Sequence, residues 1–348
     1  RVNNNSVMNR SSSDSGRPVF PGNIAVLGGG TWATALAKLL LVNCESIGWY
    51  IHRDDRIADF IAAGRNPAYL TDVEFDVDRI RFSSDINAVC SEADTIVLVT
   101  PSPYFKAETD KITVDISGKN IVSAVKGIVP GDNELITDYM HRRFRVGTDR
   151  SLVVGGPCHA EEVAMVRPSY LTIACRDIDR AAVFAQSISG KNIHAITSTD
   201  VDGIEYAAVL KNIYAIASGI VDGLKMGDNF LAMLMSNAIR EMAAFVNTVV
   251  PGARDICDSV YLGDLLVTAY SRFSRNHYFG SMIGRGYSVK AARMEMEQTA
   301  EGYYATECIH QINRRHGVMM PIMNSVYDIL YRKAGPAGAV ARMAEYFD

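Results

Sequence analysis

Between Asn23 and Leu40 the chain reads NIAVLGGGTWATALAKLL, a short apolar burst, three glycines, then alanines and leucines at helical spacing. Few features constrain a fold more. Gly28, Gly30 and Ala33 make a G-x-G-x-x-A pattern at a strand-to-helix turn. Gly28 permits the tight turn, Gly30 lets backbone approach a pyrophosphate, and the small Ala33 lets the helix pack closely on the strand. The helix that opens there presents unpaired N–H groups and the positive end of its dipole to an anion. The alternative is a plain tight turn, but the flanking strand and helix favour a dinucleotide site.

The rest of the chain supplies a sheet to carry that turn. Short β-rich bursts at 23–27, 46–51, 95–100, 120–125, 151–154 and 171–175 alternate with helical stretches. Near-continuous apolar strands of this kind predict a parallel sheet covered on both faces. After about Asp200 the rhythm changes. Ile204, Ala208, Ile213, Ile216 and Ile220 follow the helical period, and everything downstream reads as helix. The expectation is an α/β protein with a Rossmann-like, doubly wound parallel sheet over 22–203 and an all-α domain over 204–348. Residues 1–21, polar and rich in Ser and Asn, read as a flexible tail.

Composition excludes more than it assigns. A formal net charge of −4 with no basic stripe predicts no nucleic-acid partner. No apolar run is expected to span a bilayer, which predicts no membrane insertion. Six cysteines without a CxxC pair or ligand spacing read as reduced thiols of a cytoplasmic protein with no metal site. Helical domains that bury small-residue faces often pair, which predicts a homodimer.

At the second strand's end, about 24 residues after Gly28, an NAD site usually offers a carboxylate to the ribose. Here His52 and Arg53 come first, and Asp54 and Asp55 follow. Either the Arg53 guanidinium meets a 2′-phosphate, which leans the reading toward NADPH, or it points to solvent. Pro101 and Pro103 end another strand at the same edge, with Phe105 placed to flank an adenine or simply to pack.

Four places suggest chemistry. Lys126 sits at the carboxyl end of a strand, where doubly wound sheets bind ligands, although a solvated strand end often carries a lysine too. Lys211 interrupts an apolar helix among Ala207, Ala208, Tyr214 and Ala215, with Asn212 beside it. Desolvation there would lower the amine's pKa toward values useful for proton transfer; the alternative is a lysine snorkelling at a helix edge. The segment YLGDLLVTAYSRFSRNHYFG places Asp264, Thr268, Arg272, Ser274, Arg275 and Asn276 close together, either a phosphate-binding set with a carboxylate for the lysine or a polar surface turn. In GGPCHAEEVA the glycines open space, Glu161 and Glu162 suit a helix start, and His159 reads as a packing group.

Taken in order, GGGTWATALA, VTPS, AVKG, GGPCHAEEVA, VLKNIYAIASGIVDGL, GDLLVTAYSRFSRNHYFG, GRG and EGYYAT closely resemble the bacterial type of soluble NAD(P)-dependent glycerol-3-phosphate dehydrogenase. The likeness runs from about Asn23 to about Tyr331. It implies a helical domain related to that of 6-phosphogluconate dehydrogenase, and reversible reduction of dihydroxyacetone phosphate to sn-glycerol 3-phosphate, a phospholipid precursor, by NADH or NADPH, with NAD or NADP as the cofactor. It also implies that Lys211 exchanges a proton at the substrate's C2 oxygen, supported by Asp264 and Lys126. Around the substrate it places Gly156, Cys158, Thr268, Ser274, Arg275 and Asn276. To the cofactor it assigns Thr31, Trp32, His52, Lys126, Ala160, Arg275 and Glu301, beside the loop residues Gly28, Gly30 and Ala33. Three departures stand out: Ala33 replaces a glycine, Cys158 stands where a hydroxyl is common, and the tail has no counterpart. Two other readings are a dehydrogenase of the same build with a different substrate, and a silent dinucleotide sensor, which would have no use for Lys211, Asp264, Arg275 and Asn276 together.

Overall fold

The computed structural model describes residues 21–271 and 273–347; the flexible tail expected at 1–21, apart from Pro21, and Arg272 lie outside the described residues. Among the described residues eight strands form one sheet: β1 (Ile24–Leu27), β2 (Ile47–Tyr50), β3 (Ile80–Ser83), β4 (Thr95–Leu98), β5 (Asn120–Ser123), β6 (Ser151–Gly155), β7 (Ser169–Cys175) and β8 (Ile193–Ser198). Their order is β3-β2-β1-β4-β5-β6-β7-β8. It reverses direction between β1 and β4, so a crevice opens at the carboxyl ends of those two strands, where the glycine loop lies.

Alternation along each strand fills both faces. Ile24 and Val26 join a core with α1 (Thr31–Asn43), α2 (Asp54–Ala63), α6 (Ala160–Ala164) and α7 (Ile178–Ile188). Ala25 and Leu27 face α3 (Ile86–Glu92), α4 (Ser102–Thr109) and α5 (Ile136–Phe144) on the other side.

Two departures from the sequence reading have physical causes. The sheet is parallel except at β6–β7, which pair antiparallel: the five-residue α6 is followed by a turn at Val166, with φ of 58°, and the chain doubles back. Strands β3 and β8 carried no apolar signal because they are the sheet's edges, where side chains alternate with solvent rather than being buried on both faces.

Helices make up the remainder: α8 (Val201–Gly223), α9 (Asp228–Val249), α10 (Asp264–Tyr270), α11 (Arg275–Gly284), α12 (Val289–Met294), α13 (Glu301–His316), α14 (Pro321–Tyr331) and α15 (Pro336–Ala344). A π turn at Ser259–Gly263 runs straight into α10. By length and composition α8 is apolar enough to cross a membrane, contrary to the expectation that no run is, yet its apolar window is wholly buried inside the protein.

What buries α8 most closely is α11. A Cβ on Gly219 would lie 2.0 Å from the His277 carbonyl oxygen, and one on Gly280 would lie 2.1 Å from that of Ile216. Gly223 and Gly284 meet the partner backbone in the same way. The two main chains therefore touch without intervening side chains. The glycines of α8 that face α11 are thus covered within the chain.

Backbone cannot yield as a side chain tip can, so Gly280→Ala is expected to cost ~3 kcal/mol in urea unfolding. Gly118→Ala, where a Cβ meets nothing within 4 Å, should stay within about 0.5 kcal/mol of the parent. Equal stability of the two variants would contradict the seam.

Candidate active site

The crevice continues into a cavity of about 300 Å³ between the sheet's carboxyl edge and the helices. Its floor is the glycine loop. Gly28 has a φ of 131°, and a Cβ there would press on the Val99 and Thr100 backbone at 3.1 Å, so only glycine suits the turn. Above Gly30 a Cβ would meet nothing within 4 Å. Gly30 caps α1, no side chain bonds into that helix start, and its first turn carries no acid. An open, uncapped helix N-terminus beside a glycine is what a pyrophosphate requires, so the residues present fit a dinucleotide. Ala33, wholly buried, serves the packing beneath the loop.

Beside the loop, Thr31, Trp32 and Ala160 line the cavity. The Trp32 indole N–H is buried and has no hydrogen-bond partner among the described residues. Lys126 Nζ lies 5.4 Å from that ring's centre. At the far end of β2, His52 and Arg53 are exposed and outside the cavity lining. Arg53 donates from Nε to Asp55 Oδ1 at 2.9 Å, and its Nη2 pairs with the other oxygen, so the guanidinium expected to meet a 2′-phosphate already has a carboxylate partner.

Phe105 requires a correction. Its ring is buried in the core on the inner face of α4, packed edge-on against Tyr139 at 5.8 Å, and does not reach the crevice. The neighbouring Tyr104, 58 % exposed, lines the cavity instead.

On the helical side, α8 and the π turn ahead of α10 bring two charges together. Lys211 Nζ donates to Asp264 Oδ1 at 2.5 Å, with the two side chains 5 % and 2 % exposed. Burial pushes the amine down to about 7; Asp264 opposes that shift and Lys126 adds to it. The second Asp264 oxygen is buried with no partner among the described residues. Lys211 is therefore no snorkelling surface lysine.

A chain of amides holds this pair in register with its neighbours. Asn212 donates to the Lys126 carbonyl at 2.7 Å and accepts from Asn276 at 3.0 Å, while Asn276 accepts from the Gly302 N–H at 2.9 Å. Ser274 caps α11 by accepting from the His277 N–H at 3.2 Å, and Thr268 returns its hydroxyl proton to the Asp264 carbonyl at 2.6 Å. Lys126, Asn212, Asp264, Thr268, Ser274 and Asn276 all line the cavity, whereas Gly302 and His277 do not. Gly156 is outside the lining, but its carbonyl lies 3.5 Å from Lys126 Nζ.

Cys158 is buried in the wall, its thiol pushed up to about 11 by burial, so it is a protonated, apolar group there. His159 is held neutral: burial, then Lys211 and Lys126, push it down to about 4. Glu301 reaches from α13 to the start of α4, accepting from the Ser102 N–H at 2.9 Å and from its hydroxyl.

Sequence reasoning missed Tyr69, Tyr104 and Gln298 in the lining. Gln298 Oε1 accepts from the Thr31 hydroxyl at 2.9 Å and from Arg275 Nη1, joining the glycine loop to the guanidinium. Only its place just ahead of the EGYYAT helix hinted at this.

The arrangement sets a desolvated amine and a guanidinium in one cavity with an anion-binding loop, as a two-substrate redox site with a proton exchange requires. Profiles of the NAD-dependent glycerol-3-phosphate dehydrogenase N-terminus and C-terminus match residues 23–181 and 200–341. A glycerol-3-phosphate dehydrogenase [NAD(P)+] from Exiguobacterium is 32 % identical over 323 residues, 92 % of this chain and 94 % of that one. One from Prosthecochloris aestuarii is 32 % identical over 311 residues, 88 % and 93 % respectively. The crystal structure of glycerol-3-phosphate dehydrogenase from Coxiella burnetii superposes with a TM-score of 0.85 at 28 % identity, covering 93 % of this chain and 98 % of that one. A ketopantoate reductase from Ralstonia eutropha, 14 % identical with a TM-score of 0.58 over 93 % of this chain and 99 % of its own, shares the fold.

Proposed function

The chain belongs to the NAD-dependent glycerol-3-phosphate dehydrogenase family, and we propose that it reversibly reduces dihydroxyacetone phosphate to sn-glycerol 3-phosphate with NADH or NADPH, Lys211 serving as the proton donor and acceptor. The observation that carries this assignment of roles is the buried Lys211–Asp264 pair sharing one cavity with Arg275 and the glycine loop.

A bound nicotinamide supplies the hydride to the substrate's C2 carbon. As an ammonium, Lys211 hydrogen-bonds the C2 oxygen, offsets the negative charge that develops on it and delivers the proton. In the reverse direction the neutral amine takes that proton back. Asp264 holds the amine in place and raises its proton affinity against the burial that lowers it. Lys126, at the sheet edge, adds positive charge to the same pocket. Arg275, with the remaining Asn276 amide proton, anchors the phosphate, a task a planar guanidinium suits through paired N–H donors. Glu301 and Trp32 face the cofactor side. The Arg53–Asp55 pair leaves NADH and NADPH both admissible, since either a 2′-phosphate takes the guanidinium from Asp55 or the pair stays closed.

The proposal includes a cytoplasmic homodimer: the six free thiols suit a reducing compartment, and sedimentation velocity tests the dimer, a species of one chain's mass counting against it.

Absorbance of the reduced nicotinamide in the presence of dihydroxyacetone phosphate gives the direct assay. Lys211→Ala is expected to lower turnover about a thousandfold while dinucleotide still binds; near-normal turnover would remove Lys211 from the mechanism. Because reduction needs the ammonium, kcat/KM for the ketone should be level below about pH 7 and fall roughly tenfold per unit above it, with the opposite slope for glycerol 3-phosphate oxidation. Asp264→Asn removes the charge that favours the ammonium, so both breaks should move to lower pH; profiles flat from acid to alkali in both directions would contradict the assignment. Arg275→Ala should raise KM for the phosphorylated ketone at least tenfold and leave an unphosphorylated analogue nearly unchanged. Equal loss for both would place the phosphate elsewhere.

A further inference from the structure

Three consecutive carbonyls of the glycine loop are each held from the protein side by a buried side chain. Trp49 Nε1 donates to Gly28 O at 2.7 Å, Asn66 Nδ2 to Gly29 O at 3.2 Å, and Thr34 Oγ1 to Gly30 O at 2.9 Å. In a trans peptide the N–H points opposite to the C=O of the same unit. Fixing these oxygens inward therefore turns the N–H groups of Gly29, Gly30 and Thr31 the other way. Gly30 and Thr31 line the cavity.

Asn66 does more than hold one oxygen. It is 4 % exposed, and its second amide proton goes to the hydroxyl of Thr34 at 2.9 Å, itself fully buried. Its carbonyl oxygen accepts from the Ala68 and Tyr69 N–H groups at 3.0 and 3.1 Å. Both donors and both acceptor sites of the amide are occupied. One side chain thus ties the glycine loop to the turn that carries Tyr69 to the cavity wall.

We propose that Asn66, acting with Thr34, is a positioning residue for the dinucleotide: it fixes the peptide orientation of the glycine loop and locks that loop to the turn bearing Tyr69. This rests on the glycine loop being the dinucleotide site. Asn66 touches neither substrate nor reacting atoms, so its effect falls on cofactor affinity and leaves the proton exchange at Lys211 largely intact.

Asn66→Asp isolates the clasp. The carboxylate still accepts from Ala68 and Tyr69, but both donors are gone and an anionic oxygen faces the Gly29 carbonyl. Thr34→Val cuts the same connection from α1, and Thr34→Ser restores it. Equilibrium fluorescence titration of the full chain with NADH and with NADPH, steady-state kinetics and urea unfolding are measured on each. The expected result is a Kd for both dinucleotides raised tenfold or more in Asn66→Asp and Thr34→Val, with kcat at saturating dinucleotide changed far less, and binding recovered in Thr34→Ser. Val326→Ala, a cavity variant within α14, shows what loss of stability alone does to the Kd and should leave it near the parent value. A Kd within twofold of the parent in either folded clasp variant overturns the proposal, as does a fall in kcat with Kd unchanged; if Asn66→Asp does not fold, Thr34→Val decides alone. A parent chain that binds neither dinucleotide would overturn the reading of the loop itself, a separate result from unchanged binding in the variants.

Discussion

An amine almost wholly withdrawn from water governs how this molecule is put together. Lys211 sits midway along a helix whose apolar stretch has no solvent face, and its charge is offset by a single carboxylate at 2.5 Å. Such a pair is costly to bury, and removing one partner strands the other. The surroundings follow from that cost. The π turn delivers Asp264 to the first residue of α10, and the amide chain through Asn212 and Asn276 links the Lys126 carbonyl to the Gly302 N–H beside the pair. Burial elsewhere in α8 supplies the apolar contact against which this polar island is maintained.

Buried carboxylates recur as joints between elements. Glu205 of α8 accepts from the Thr137 N–H and hydroxyl at the start of α5, Glu241 of α9 from the Ile322 and Met323 N–H groups at the start of α14, and Glu301 of α13 from Ser102 at the start of α4. Each places an acid on the N-terminal turn of a helix from a different part of the fold, where the unpaired N–H groups find an acceptor. Two of the three join the helical region to the sheet. Burial pushes Glu205 and Glu241 up to about 8. A folded-state pKa above the unfolded one means that their contribution is complete below the ordinary carboxylate range and is lost as pH rises through about 8.

Much of this was legible in the residues. The glycine loop, the interior strands and the helical second half announce themselves because doubly buried strands are continuous apolar runs and because a turn needing positive φ selects glycine, as Gly28 shows. Lys211 was legible as an anomaly, charge within apolar helix, and Asp264 as a carboxylate in a polar segment that could pair with it. The edge strands β3 and β8 were not, since half-solvated strands look like loops, and Phe105 misled because sequence cannot say which of two adjacent aromatics on α4 turns inward. Gln298 and Asn66 carry no local signature at all. Their importance comes from partners 267 and 32 residues away in sequence, through Thr31 and Thr34.

The glycine seam between α8 and α11 has a bearing on substrate length. Lys211 and Asn212 ride on one helix, Arg275 and Asn276 at the head of the other, and where the helices cross the contact is main chain against main chain. Side chains can change rotamer to admit a longer molecule; carbonyl oxygens in van der Waals contact cannot. Under the proposed roles, the bases of the two side chains that would hold the reacting carbon and the anionic end are set at a distance fixed by backbone contact, so the helix crossing contributes to the length of ketone the pocket accepts.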